Sequence, residues 1–83
     1  MAQLHVPSNL FDSLPNGIFN GVGSLTYVRA EGKTIGATTP DATIFNTWKR
    51  LVGNNMASNV EIYYGDGYVN KSGVFRGSDP FIP

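Results

Sequence analysis

The chain has 83 residues, of which 41% are hydrophobic and only 14% are charged, and its six basic and six acidic residues give a formal net charge of zero. The absence of cysteine excludes disulfides and thiolate metal sites. Because the charges are scattered singly, no cluster can bind a run of phosphates, so nucleic-acid binding is not expected as a main function. The remaining polarity comes from Asn, Thr, Ser and Gly, and such a surface is easily desolvated against another protein.

Residues 1–23 are predicted to form an extended N-terminal arm. Pro7, Pro15 and several glycines interrupt any long helix or strand, while the segment carries too many large apolar side chains for a solvated linker. At most, Ser8 is expected to cap a single helical turn. We expect the arm to lie against a surface, of its own domain or of a neighbour, and removal of residues 1–12 to leave the rest of the chain folded.

The core is predicted to span residues 24–76 and to begin with a β-hairpin over residues 24–38. The segment SLTYVR is rich in residues that favour strands, and Ala-Glu-Gly-Lys follows it. The glycine of this tetrapeptide suits the left-handed position of a three-residue hairpin loop. The next residues, TIGAT, are expected to return as the partner strand.

An amphipathic helix is predicted to follow, with Thr39 as its N-cap, Pro40 at the first helical position and Asp41 in the first turn. Five apolar residues at helical spacing fall within an arc of about 120°. These are Ile44, Phe45, Trp48, Leu51 and Val52. Trp48, at the centre of this stripe, is interpreted as a core residue. Gly53 is expected to end the helix.

The segment VEIYYGDGYVNKSGVF allows two interpretations. In the first, one strand continues through Gly65 and Gly67, which mark a bulge, and residues 70–73 form a type I turn that closes a hairpin. In the second, the turn lies at Gly65 to Gly67 and exposes the carboxylate between them on a loop rimmed by tyrosines. The candidate loop contacts are then Tyr63, Asp66 and Tyr68.

No combination of residues predicts catalysis. His5 is the only histidine and has no second ligand at metal-binding spacing, and no serine is placed with a histidine and a carboxylate as in a triad. We therefore expect no enzyme, no cofactor and no metal. The first residues lack the basic and apolar regions of a secretion signal, and no apolar run approaches the roughly 20 residues of a transmembrane helix. The expected location is a virion if the source is viral and otherwise the cytoplasm.

These elements predict an α+β domain in which one amphipathic helix covers one face of a small antiparallel sheet of about four strands, built from two hairpins in the order ββαββ. The alternative is an all-β, barrel-like domain with one short helix. A C-terminal arm, residues 77–83, is expected to follow the core.

The expected function is that of a non-enzymatic structural or assembly subunit of a larger particle, most concretely a phage capsid decoration or minor virion protein. The alternative is a small soluble binding module or inhibitor that docks on a partner protein. Protein partners are expected, either further copies of the chain or a larger shell protein, with no nucleic acid and no membrane, and the chain is expected to be a homo-oligomer or particle-bound. A neighbour could bury the apolar arms more fully than a thin core could. The predicted interface residues are Phe11, Phe19, Phe81 and Ile82.

Overall fold

The computed structural model describes residues 3–20, 27–53 and 56–77. Its strands are β1 (Gln3–Pro7), β2 (Tyr27–Glu31), β3 (Glu61–Tyr64), β4 (Gly67–Asn70) and β5 (Gly73–Arg76), and its helices are α1 (Ser8–Phe11) and α2 (Asp41–Val52). The strands form one mixed sheet in the order β1-β2-β3-β4-β5. The pairs β1–β2 and β2–β3 are parallel, and the pairs β3–β4 and β4–β5 are antiparallel.

The predicted α+β class is confirmed, but the predicted antiparallel ββαββ arrangement is wrong. After β2 the chain crosses the sheet as α2 and returns as β3 beside β2 in the same direction, and such a return makes the pair parallel. The alternative of an all-β barrel is also wrong, because the described strands form an open sheet whose two edges are β1 and β5.

The first predicted hairpin is wrong although its turn is present. The Lys33 N–H donates to the Ala30 carbonyl at 3.2 Å, and Gly32 has the left-handed φ of 75° that the sequence predicts there. The residues after this turn do not return along β2. Instead, Ile35 is buried in the core cluster, so the apolar residue that appeared to define a second strand anchors a loop.

The start of the chain is part of the sheet rather than a separate arm. All five residues of β1 pair with β2, and Phe11, at the end of α1, is fully buried. The following loop docks on the last turn of α2, where the N–H groups of Gly17 and Phe19 donate to the carbonyls of Arg50 and Leu51 at 2.7 and 2.9 Å. These bonds satisfy carbonyls that a helix end leaves unpaired. Removal of residues 1–12 is therefore no longer expected to leave the remainder folded.

Helix α2 confirms the predicted amphipathic helix, with one correction at its start. Gly53 ends it in the left-handed conformation, with φ 65°, where a residue without a side chain avoids a steric penalty. Thr39 is not the N-cap: Pro40 occupies that position without a side-chain hydrogen bond, and the Thr39 hydroxyl donates to the Ile35 carbonyl instead. The threonine thus stabilises the loop before the helix.

The core lies between α2 and one face of the sheet. Alternate residues of the inner strands face the helix, because successive strand residues point to opposite faces. These are Val28, Ile62, Tyr64 and Val69, and all are nearly or fully buried. Trp48 fills the centre of the layer without exposure, and its indole Nε1–H donates to the Val60 carbonyl at 2.9 Å. Its predicted core role is confirmed.

Both turns considered for the C-terminal segment are present. One lies at Gly65 and Asp66, between β3 and β4, and the other between β4 and β5, where the Ser72 N–H donates to Asn70 Oδ1 at 2.9 Å. The interpretation of a bulged continuous strand is therefore wrong. Gly67 lies at the point of closest approach between β4 and β5, since a Cβ atom there would lie 2.5 Å from the Phe75 carbonyl oxygen.

Replacing Trp48 with alanine is expected to lower the free energy of unfolding by about 3–5 kcal/mol, because a fully buried ring is lost and a cavity remains. Thermal and urea denaturation followed by circular dichroism will measure this change. Asn46→Ala, at an exposed position of the same helix, is the matched control and should change stability by less than about 0.5 kcal/mol. A Trp48→Ala variant with the wild-type melting temperature would contradict the burial of this ring.

Replacing Gly67 with alanine is expected to cost about 1–3 kcal/mol, because the new methyl group meets backbone that cannot move without disturbing the β4–β5 pairing. Gly77→Ala is the control, since nothing lies within 4 Å of a Cβ atom at that position, and its effect should stay within about 0.5 kcal/mol. Equal denaturation midpoints for the two variants would rule out the close approach at Gly67.

Candidate functional site

The face of the sheet opposite the helices carries a continuous row of aromatic rings. We call this set the aromatic row; it consists of His5, Tyr27, Tyr63, Tyr68 and Phe75. Strand register brings them together, because Tyr63 pairs directly with Tyr68 and Tyr68 with Phe75, while His5 and Tyr27 occupy positions of the same parity on β1 and β2. One ring therefore comes from each of the five strands.

The rings of the aromatic row contact one another in sequence across the sheet. Centroid distances are 6.2 Å from His5 to Tyr27, 4.8 Å from Tyr27 to Tyr63, 4.8 Å from Tyr63 to Tyr68 and 5.1 Å from Tyr68 to Phe75. The last two pairs are stacked, with interplanar angles of 20° and 17°. Neighbouring rings at these distances stabilise each other beyond the area they bury, so the row is a continuous strip of packed rings.

Exposure is greatest at the two ends of the aromatic row. His5 is exposed and Phe75 is 38% exposed, while Tyr27 and Tyr63 in the centre are only 5% and 7% exposed. None of the five belongs to the core cluster that α2 covers. The rings are thus a second apolar layer, separate from the core, on the other side of the same sheet.

Polar groups border the aromatic row and fix its geometry. Glu61 accepts hydrogen bonds from the Tyr63 hydroxyl at 3.2 Å and from the Asn70 side-chain amide at 3.1 Å. At the β1 edge, His5 Nδ1 lies 2.7 Å from Glu31 Oε1. A strip of rings with a polar border matches the composition of protein contact surfaces, where aromatic residues occupy the centre and polar groups the rim.

Asp66, the third candidate loop contact, stabilises the fold of its own chain. Its two carboxylate oxygens accept hydrogen bonds from the backbone N–H groups of Ile35 and Gly36, at 2.6 and 2.7 Å. Burial acts to raise the pKa of Asp66, but these hydrogen bonds, with the charge of Arg76 nearby, hold that pKa below its ordinary value. The turn at Gly65 and Asp66 therefore fastens the loop that precedes α2.

Arg76 fastens the same loop from β5. Its guanidinium donates to the carbonyls of Gly36 and Thr39 at 2.9 and 3.1 Å and contacts Asp41 Oδ1 at 2.7 Å. The structure thus separates the three candidate loop contacts. Tyr63 and Tyr68 are together in the aromatic row, whereas Asp66 is bonded to the loop on the helix side.

The residues predicted at an intermolecular contact lie in two different settings. Phe11 and Phe19 are buried in the core of their own chain, at 0% and 3% exposure, so they stabilise its fold and we do not assign them to a partner surface. Phe81 and Ile82 lie outside the described residues, and their contact with a partner stays a prediction.

Sequence reasoning missed the aromatic row as a set. The signal was present in the tyrosines that alternate with buried residues in β2 and β3, but it needed the order of the strands to be recognised. Within the described ranges there is no group of three or more His, Asp or Glu side chains that could hold a metal ion. No helix in these ranges combines the length and apolar character needed to cross a membrane.

Comparison with known proteins provides no family assignment. No family model, no curated protein and no solved structure matches this chain. The functional argument therefore depends on the aromatic row and on the residues around it.

Asp66→Asn is expected to lower the free energy of unfolding at pH 7 by about 1–2 kcal/mol, because the amide keeps one acceptor oxygen and turns a donor toward the second N–H. A residue that only shaped an exposed turn would show a nearly neutral effect. Asp41→Asn, at an exposed ion pair with Arg76, is the control and should cost less than about 1 kcal/mol.

The Asp66 effect is also expected to depend on pH. A lowered pKa in the folded state contributes stability above the unfolded-state pKa of about 4, and this contribution is lost as the pH falls through the folded-state value. The stability difference between wild type and Asp66→Asn should therefore shrink below about pH 4. Urea denaturation at a series of pH values will measure it, and a difference that is constant down to pH 2 would show that the carboxylate charge does not hold the loop.

Proposed function

We propose that this protein is a non-enzymatic assembly subunit that binds a second copy of itself through the aromatic row, and that the assembly is part of a larger particle, most concretely a phage capsid or other virion. One observation carries the proposal: five contacting rings, one from each of the described strands, lie on the face opposite the described helices, and His5, Tyr68 and Phe75 expose part of their surface there. Rigid aromatic side chains provide large contact area at a small loss of conformational entropy, and they are enriched where proteins associate.

The charges on this face favour a protein partner over a nucleic acid. Single-stranded nucleic acids also stack on aromatic sheet surfaces, but those surfaces surround the rings with cations that bind phosphate. Here the carboxylates of Glu31 and Glu61 border the rings, and Arg29 pairs across the strands with Tyr63. Carboxylates at the border of the rings disfavour phosphate, so a protein is the favoured partner of this face.

The area of the sheet face that carries the aromatic row indicates that this contact is one of several that the protein makes. Four inter-strand spacings of about 4.8 Å and strands about 13 Å long give a projected area of about 250 Å². A stable isolated interface buries about 800 Å² on each partner. The aromatic row alone is therefore too small for a stable isolated dimer. A particle, in which each subunit makes additional contacts through residues such as Phe81 and Ile82, provides the missing area.

Sedimentation velocity and light scattering over a range of protein concentrations test the proposal. Wild type is expected to associate reversibly at concentrations up to about 1 mM, where a contact worth about 4 kcal/mol is half-saturated. The double variant Tyr68→Ser, Phe75→Ser should weaken this association by at least about tenfold, since it removes two rings from the contact.

Leu10→Ser is the matched control, because Leu10 is a 53% exposed apolar residue on α1, away from the aromatic row. Its association should equal that of wild type. A wild-type protein that remains monomeric throughout the range would overturn self-association and favour the alternative, a small binding module or inhibitor that docks on another protein. Loss of association in Leu10→Ser but not in the double variant would assign the contact to a different surface.

A further inference from the structure

A small cleft of about 190 Å³ lies on the helix side of the sheet, next to the loop that Asp66 and Arg76 hold. Its polar lining comes from separate parts of the chain: Thr43 and Thr47 of α2, Asp12 after α1, Lys33, Thr34 and Thr39 of the loop, and Tyr64 of β3. Ile35 and Ile44 add an apolar portion. This cleft takes no part in the proposed assembly contact, because Tyr64 and the aromatic row point to opposite faces of the sheet.

Tyr64 provides the cleft with an unpaired donor. Its side chain is only 1% exposed, and its ring packs edge-on against Phe11 at 5.8 Å. Among the described residues its hydroxyl has no hydrogen-bond partner, yet in this part of the chain no polar side-chain atom is both sealed from solvent and unpaired. The hydroxyl therefore opens into the cleft that Tyr64 lines. An unpaired polar group in so buried a side chain is costly unless something binds it.

The protonation of Tyr64 makes it a donor at physiological pH. Burial, and to a lesser extent the negative charge of Asp12, raise the pKa of this phenol above its ordinary value. The hydroxyl thus remains protonated. A ligand that accepts a hydrogen bond from it must also be compatible with the carboxylate nearby.

The remaining groups of the cleft are hydrogen-bonding and balanced in charge. Lys33 Nζ lies 2.9 Å from Asp12 Oδ2, so the cation and the carboxylate neutralise each other. The Thr47 hydroxyl donates to the Thr43 carbonyl at 3.1 Å, which leaves its oxygen available as an acceptor. A charged ligand would lose its hydration on entering the cleft, and the paired charges there would not compensate for that loss. A neutral ligand with several hydroxyl groups meets both donors and acceptors.

We infer that this cleft binds a small uncharged polyol, such as a short sugar alcohol or a single sugar ring, with one ligand oxygen accepting a hydrogen bond from the Tyr64 hydroxyl. The volume corresponds to about six water molecules at roughly 30 Å³ each, which limits the ligand to this size. The threonine hydroxyls and the Asp12 carboxylate bind the other ligand hydroxyls, and Ile35 and Ile44 contact its C–H groups.

Titration of the full chain with glycerol, xylitol and xylose, followed by backbone amide shifts in ¹H–¹⁵N spectra, tests this inference. At least one probe should produce saturable shifts at Ile35, Thr43 and Tyr64, with a Kd in the millimolar range. Tyr64→Phe should weaken that binding about fivefold through the loss of one hydrogen bond. It should not lower the melting temperature, because the hydroxyl it removes has no partner within the protein.

Tyr63→Phe is the control, since it removes a hydroxyl from the adjacent residue on the opposite face and should leave polyol binding unchanged. The inference is overturned if none of the three probes gives saturable shifts up to about 100 mM, well above a millimolar Kd. It is also overturned if Tyr64→Phe binds as wild type does, or if this variant loses stability without losing binding, since the hydroxyl would then be structural. Because the cleft lies on the helix side of the sheet, away from the aromatic row, these outcomes do not depend on whether the chain self-associates.

Discussion

The packing of a single long helix on one face of the sheet is the constraint from which the rest of the structure follows. Trp48 places a fully buried ring at the centre of that layer, and its indole N–H bonds to the Val60 carbonyl just before β3. This bond joins the helix to the segment just before β3, the strand that returns parallel to β2. The described helices lie on one side of the sheet, and the other side carries the aromatic row, in which neighbouring rings contact one another.

Locally encoded elements could be predicted from the sequence, whereas elements that depend on distant residues could not. The α2 pattern and its end at Gly53, and the turn at residues 70–73, are each specified by a few neighbouring residues. The pairing of β1 with β2 joins residues more than 20 positions apart, and no local pattern distinguishes such a strand from an apolar arm. The loop around Ile35 was mistaken for a strand for the same reason, because its actual partner, Asp66, is 31 positions away.

The candidate surface was predictable only in part. Alternation in β3 shows that Tyr63 and Tyr64 face opposite ways, but alternation alone cannot tell which face a helix covers when both faces carry tyrosine. The aromatic row also requires strand order and register, since its rings come from five separate strands. An acidic residue between two glycines is typical of an exposed loop, yet the Asp66 carboxylate binds the backbone N–H groups of Ile35 and Gly36, and no sequence pattern indicates these donors.

Adjacent tyrosines with different environments explain how so small a chain can carry two distinct surfaces. The ring of Tyr63 lies between the rings of Tyr27 and Tyr68, and its hydroxyl bonds to Glu61. Tyr64 packs against Phe11 and lines the cleft on the helix side of the sheet. The two faces of a sheet lie close together, but successive strand residues point to opposite faces, so neighbouring residues contribute to different surfaces. A slip of β3 by one residue would exchange the two rings, so the register that Trp48 and Val60 help to fix keeps both surfaces distinct.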